Sequence, residues 1–317
     1  MKKTDIKNLA RVVVKKYGIM IIFLIFSSIL SIITPNFLTF GNIFNILRQA
    51  SIIGVIAIGT TFVIIGGGFD ISVGSLLALT GAMVYGFQNY MHWGFAVILI
   101  LLLGAFIGMV NGLLAVKIHI ASIIATLAMM TILRGLVYLY TGGYPFTLMQ
   151  GASEGFLFIG QGYLGPFPFP VVILIVMVAF GQFILIKTKF GRYTSAIGGN
   201  KEASRLSGVK VDFYHIMTFT VGGLMAAIAG VIYASRLMSV TPLAGQGYEL
   251  DAIAATVIGG TSVSGGEGSV VKTLIGVLLL SIISNIFNLM GINVYVQYII
   301  KGLIILFAVG FDSYTKK

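Results

Sequence analysis

The sequence predicts an all-α polytopic membrane protein with about ten transmembrane segments, some short or discontinuous, and with both termini in the cytoplasm. Three observations carry this. Of 317 residues, 58% are apolar and only 9% are charged, and the mean hydropathy is +1.04. Soluble domains run near a quarter charged, and a single core of this size cannot hide so much apolar surface from water. Second, the charges leave long gaps. Residues 49–116 hold no lysine or arginine and one acid, Asp70, residues 135–186 hold only Glu154, and residues 273–300 hold no charge. Third, the basic residues are clustered. The formal charge of +11 would point to nucleic acid in a soluble protein; in a membrane protein it marks cytoplasmic loops, so no nucleic-acid partner is expected. The composition excludes a cytosolic enzyme and a disordered chain, and the absence of cysteine excludes a secreted disulfide scaffold.

A spanning helix needs about 20 mainly apolar residues. The first candidate, 17–34, follows a basic head. It resembles a signal peptide, but its apolar run is long and no small-residue cleavage pattern follows, so it reads as an uncleaved helix. Segments 50–66 and 71–88 are joined by glycines, so either is open to being broken or re-entrant. Segments 95–116 and 120–140 follow. The stretch 141–168, with Tyr144, Pro145, Pro166 and Pro168, is expected to face outward against the membrane interface, where aromatics are favoured. Segments 169–186 and 213–234 flank the basic loop 187–212. Segment 250–262 is too short to span alone, and 270–290 and 294–311 complete the set. With the amino terminus inside, ten crossings place all but Arg48, Arg134, Arg236 and Lys301 of the 20 basic residues at the cytoplasmic face. Counting 250–262 as a crossing is required. The whole chain, 1–317, then forms one transmembrane domain.

Small residues recur every four positions at Gly104, Gly108 and Gly112, at Gly222, Ala226 and Gly230, and at Ala78, Ala82 and Gly86. That spacing lets helix backbones approach closely in lipid. Catalytic constellations are missing from the sequence. It has no G-x-x-x-x-G-K-[ST] to hold ATP, no G-x-S-x-G and no paired helical carboxylates. His92, His119 and His215 are far apart, so no metal site and no cofactor is expected. The chain reads as a non-enzyme.

Three stretches carry information. The first, GGGFDISVGS at 66–75, puts Asp70 between two apolar segments in a region otherwise free of charge. Unwound backbone survives in lipid only where protein or a wet cavity surrounds it, and an intramembrane acid is a functional candidate. Asp70 with Ser72 also reads as a cap for a helix starting near Val73; both roles stay open. The second, GYELDAIAATVIGGTSVSGGEGS at 247–269, brackets a short helix with Glu249 and Asp251 before it and glycines after it. It echoes the first stretch, and broken helices in corresponding positions point to a translocation site. The third is GRYTSAIGGNKEASRLSGV at 191–209. Asn200 would cap two helical turns that Gly208 stops, with Ala203, Leu206 and Val209 near one face, suited to docking on a cytoplasmic partner.

Together these three stretches resemble the permease subunits of binding-protein-dependent bacterial ABC importers for monosaccharides, of the ribose and galactose type, and the likeness runs from about residue 35 to 311. The resemblance implies a multi-pass permease of the bacterial cell (inner) membrane. Two copies, as a homodimer in the lipid bilayer, form the pathway. A separate cytoplasmic ABC ATPase hydrolyses ATP, and an extracytoplasmic sugar-binding protein delivers the solute and holds most of the selectivity. The 187–212 loop is similar to the helix that couples permease to ATPase, with Gly191, Arg192, Asn200, Glu202, Ala203, Arg205, Leu206 and Gly208 as its coupling residues. The importer signature continues Glu-Ala-Ala where this chain reads Glu202-Ala203-Ser204, a small change within a helix. A sugar pathway should be lined by hydroxyl, amide and small side chains. Thr60, Thr61, Ser72 and Ser75 are candidates in the first half, with Asn111, Thr256, Ser284 and Asn288 beyond. Asp70, Glu249 and Asp251 either line the route or hold the broken helices. The alternative is a secondary transporter or channel for a small polar solute that uses those acids as proton or ion sites.

Overall fold

The computed structural model describes Ser28, residues 37–147 and residues 152–315. Apart from Ser28, the predicted segment 17–34 lies outside the described residues, as do the tail lysines. Among the described residues the chain is mostly helical, with one short ladder and an isolated bridge between Phe146 and Val240.

Helix α1, Phe40–Ile65, starts at Thr39, whose side chain accepts from the Asn42 N–H, and ends at Gly66. Predicted segment 50–66 is therefore the inner part of one unbroken 26-residue helix. A seven-residue unwound stretch leads to α2, Val73–Gln88, and His92 opens α3, Trp93–Val116. Helix α4, Ser122–Thr141, stops at Gly142 in the left-handed conformation. The stretch expected to face outward holds α5, Glu154–Gln161, and a two-residue antiparallel pair of Tyr163–Leu164 (β1) with Phe167–Pro168 (β2). Helix α6, Phe169–Lys187, enters from this hairpin. Two short helices follow, α7, Lys189–Gly199, and α8, Lys201–Leu206, before the long α9, Val211–Leu237. The chain closes with α10, Tyr248–Ile258, α11, Val270–Leu289, and α12, Val294–Thr315.

Among the described residues six helices, α1, α3, α4, α6, α9 and α11, are long and apolar enough to cross a membrane. Helix α10 has 11 residues, about 16 Å at 1.5 Å per residue, roughly half of the hydrocarbon core. The expected shortness of segment 250–262 is thus met by a half-length helix.

Helix α9 is the axis of the molecule, packed against α1, α2 and α3. Its small residues face different neighbours. A Cβ at Gly59 of α1 would reach Gly222 Cα at 2.9 Å, and one at Gly108 of α3 would stand 3.0 Å from the Gly223 nitrogen. Gly230 lies against Leu77, Thr80 and Gly81 of α2. The stretch 141–168 also docks on this helix: Gly160 N–H donates to Ser235 Oγ at 2.7 Å and Ser235 Oγ donates to Phe156 O at 2.6 Å. Burial divides the spans. The most apolar windows of α1, α9 and α11 are 89%, 61% and 56% buried, while those of α3, α4 and α6 are 33%, 22% and 33% buried. The second group is the one fitted to face lipid.

Candidate functional site

Asp70 sits in the unwound stretch before α2 and is 1% exposed. Its Oδ1 accepts from the Ser72 backbone N–H at 2.9 Å and from Ser72 Oγ at 2.6 Å. Its Oδ2 accepts from Asn111 Nδ2 at 3.3 Å, and the same amide donates to Ser72 Oγ at 2.9 Å. Ser72 occupies the cap position of α2 without a side-chain cap bond, and its own N–H is held by the carboxylate two residues upstream. Among the described residues no lysine or arginine forms an ion pair with Asp70. Ser75 is buried one turn on.

The two broken regions meet. A Cβ at Gly74 of α2 would overlap the Gly245 carbonyl oxygen and Glu249 Oε2, so only glycine lets the chain before α10 lie against α2. Glu249 Oε1 in turn accepts the Gly247 N–H at 3.1 Å. Arg134 of α4, one of the basic residues left inside a predicted span, donates to Pro242 O and, at 3.0 Å, to Ala244 O. It holds the unwound stretch after α9 in place. On the far side of α1, Thr61 Oγ1 lies 2.9 Å from Thr273 Oγ1 of α11, and Thr256 Oγ1 donates to Ala252 O at 2.8 Å. Thr60 donates to Ile56 O at 3.2 Å. These threonines are buried in helix contacts.

A cavity of about 470 Å³ opens between the start of α10, the end of α11 and α12. Of the predicted lining residues the structure brings Glu249, Asp251, Ser284 and Asn288 to it, and does not bring Thr60, Thr61, Asp70, Ser72, Ser75, Asn111 or Thr256. It adds Gln49, Tyr248, Gln297, Tyr298 and Lys301, which sequence reasoning did not assign. Lys301 Nζ pairs with Asp251 Oδ2 at 2.9 Å. The sequence offered both charges, one lysine in the last apolar segment and one acid in another, each costly in lipid without a partner, but not their pairing.

The basic loop forms an elbow. Asn200 caps α8 by accepting the Ala203 N–H at 2.8 Å, and Gly208, at φ +81°, ends it with its N–H on Arg205 O at 3.0 Å. Glu202 pairs with Arg205 at 3.3 Å, and Arg205 reaches Asp212 at 3.7 Å. Leu206 is 86% exposed, an unpartnered apolar tip. Helix α7 before it was not foreseen. Its Thr188 cap, accepting the Gly191 N–H at 3.3 Å, was the available signal. Gly191 packs on the Ile184 and Leu185 carbonyls, and Arg192 is exposed with its guanidinium 3.4 Å from Lys187 O. At the other end of α7, Gly198 lies on the end of α1 and on Gly266. Gly266 N–H donates to Ile65 O at 2.9 Å, and a Cβ at Gly265 would stand 3.2 Å from Gly67 Cα. Both glycine turns therefore converge on the helix that leads into α8.

The family described as the branched-chain amino acid transport system / permease component matches residues 42–309. The chain is 46% identical over 304 residues to the ribose import permease protein RbsC of Bacillus subtilis, covering 95% of this chain and 93% of that one. It is 39% identical over 314 residues to the L-arabinose transport system permease protein AraH of Escherichia coli (95% and 92% covered). Against the galactose/methyl galactoside import permease protein MglC of Escherichia coli it is 35% identical over 322 residues, 96% of each chain. No solved structure matches. Long apolar helices around a half-length one, and likeness along nearly the whole chain, place this multi-pass membrane protein in that family of transport permeases, to which it belongs.

Proposed function

We propose that the chain is the translocating subunit of an ATP-driven, binding-protein-dependent importer of a monosaccharide in the bacterial inner membrane. The observation that carries this is the full-length likeness to ribose, arabinose and galactose permeases, read together with the cavity beside the half-length α10. In this reading the chain crosses ten times with both termini in the cytoplasm, and the solute passes along the cavity lined by Glu249, Asp251, Ser284 and Asn288. Asp70, Thr60, Thr61, Ser72, Ser75, Asn111 and Thr256 hold the broken helices in the state described and reach the route only if those helices part. The loop 187–212 docks on a separate ABC ATPase through Leu206 and the Glu202–Arg205 face of α8. ATP-driven motion of that elbow enters the membrane at Gly198, where it meets the end of α1 and the loop before α11. Two copies of the chain share the pathway.

The test is uptake of labelled ribose, arabinose and galactose by proteoliposomes carrying the chain, its ATPase and its binding protein. Uptake should need ATP and survive a protonophore. Uptake that a protonophore abolishes while ATP depletion leaves it intact overturns the reading in favour of a secondary transporter. Gly208→Pro or Glu202→Lys should abolish sugar-stimulated ATP hydrolysis with membrane insertion intact, and unchanged stimulation would remove the coupling assignment.

A further inference from the structure

The cavity between α10, α11 and α12 combines largely apolar walls with a few fixed polar groups. Its volume of about 470 Å³ lies within the range of small-molecule sites, roughly 300–1,000 Å³. Two of its three charged side chains close on each other, since Asp251 and Lys301 meet at 2.9 Å, and the third, Glu249, accepts the Gly247 N–H. Each member of the pair keeps hydrogen-bonding capacity. The carboxylate has used one oxygen and the ammonium one of its three donors, so the pair offers a charge-assisted acceptor and donor side by side. Gln297 beside it is 7% exposed and held in place by its own amide, which donates to Asn288 Oδ1 at 3.1 Å and to Ile292 O at 3.0 Å. The rings of Tyr248 and Tyr298 supply apolar faces on the same cavity. Fixed donors and acceptors with aromatic faces and no net charge at the pair suit a ring that carries several hydroxyls and one apolar face. An anion would meet Glu249 and Asp251. A cation would find Asp251 already paired with Lys301 and Glu249 already accepting the Gly247 N–H. A zwitterionic amino acid would have to break the ion pair and then place its side chain among amides.

We propose that the Asp251–Lys301 pair, with Gln297, Tyr248 and Tyr298, forms a weak binding site for a single monosaccharide within the permease, so that this subunit itself selects the solute it passes. The site rests on the reading that the cavity is the sugar's route. It adds a second filter to the one expected in the binding protein.

The experiment uses the permease–ATPase complex in nanodiscs with no binding protein, and saturation-transfer NMR with ribose, galactose or leucine as the probe. The sugars should give saturable signals that compete with each other, and leucine none. Replacing both partners, Asp251→Asn with Lys301→Met, removes the pair without leaving one charge buried alone. It should weaken sugar binding about tenfold or more, the equivalent of about 1.4 kcal/mol, with the thermal transition of the complex little changed. A wild-type complex without sugar signal, signals equal in the double variant, or a saturable leucine signal overturns the proposal. A second arm separates this from the route itself: Tyr298→Cys is labelled with a bulky maleimide, and uptake is compared before and after. Uptake blocked by the label with no sugar signal keeps the route and discards the site. Uptake indifferent to the label discards both.

Discussion

Asp70 and Lys301 show two ways to keep a charged group inside an apolar molecule. Asp70 pairs with no lysine or arginine among the described residues and instead gathers the Ser72 N–H, the Ser72 hydroxyl and the Asn111 amide. Lys301 is held by Asp251. The first arrangement is local and fixes the start of α2, and the second ties two helices together. Asp70→Asn keeps an oxygen for Ser72 but turns an amide toward the Asn111 amide. Asn111 then has to rotate and bring round its Oδ1, which has no partner in the native arrangement, and Ser72 Oγ loses its donor. The net loss is one hydrogen bond, about 1 kcal/mol. Asp70→Leu strands three buried polar groups at roughly 1–3 kcal/mol each. Thermal inactivation of the purified protein should therefore place Asp70→Asn slightly below the native chain and Asp70→Leu far below it, with Asp70→Asn retaining most uptake. Uptake lost in a fully stable Asp70→Asn would mean that the charge itself serves transport. The sequence made Asp70 conspicuous because it stands alone among 68 neighbouring positions without a basic residue (49–116). It could not show that Asp251 and Lys301 meet, because 50 positions separate them and only the packing of α12 on α10 brings them together.

At the scale of elements, the glycines decide where helices touch. Gly198 and Gly199 are adjacent at the end of α7, yet their surroundings are opposite. A Cβ at Gly198 would collide with the Ile65 carbonyl oxygen and the Gly266 nitrogen, whereas one at Gly199 meets nothing within 4 Å. Gly198→Ala must push α7 away from the end of α1, and Gly199→Ala must not. The expected result is a several-fold loss of sugar-stimulated ATP hydrolysis in Gly198→Ala, with basal hydrolysis retained and Gly199→Ala behaving as the native chain. Equal behaviour of the two would mean that the junction transmits nothing. The same contrast explains what the sequence could and could not disclose. Caps and stops were readable: Asn200 and Gly208 bound α8 where their chemistry requires. Helix α7 was not, because Gly191, Gly198 and Gly199 have poor intrinsic helix propensity and are kept helical by close backbone contacts with α6, α1 and the 259–268 loop. The length of α1 also exceeded the apolar run from 50 to 66. Its first turns contain Asn42, which exchanges hydrogen bonds with Asn285 of α11 at 3.0 and 2.7 Å, and polar residues satisfied by a neighbouring helix do not end a span.

For the whole molecule, the question is which face meets lipid and which would meet the second copy proposed above. Helices α3, α4 and α6 turn outward with Leu102, Phe106, Ile132 and Phe180 exposed, a surface lipid covers without cost. The rim formed by α10, α11 and α12 is different. There the cavity with its ion pair reaches the surface, because Leu250, Val294 and Tyr298 on its wall are each more than half exposed. Acyl chains against Asp251, Lys301 and Gln297 would leave polar groups facing hydrocarbon. A second copy would enclose the cavity between two like walls, and a symmetric pair brings a residue near the axis close to itself. The absence of cysteine makes this directly measurable, since any introduced thiol is the only one. Single cysteines at Tyr295, Ile299 and Leu303, all exposed on α12, should include at least one that oxidation converts to a covalent dimer in native membranes. Phe180→Cys on α6 should remain monomeric under the same oxidant. A dimer through Phe180 with none through α12 would place the partner on the other side and leave the cavity without its second wall.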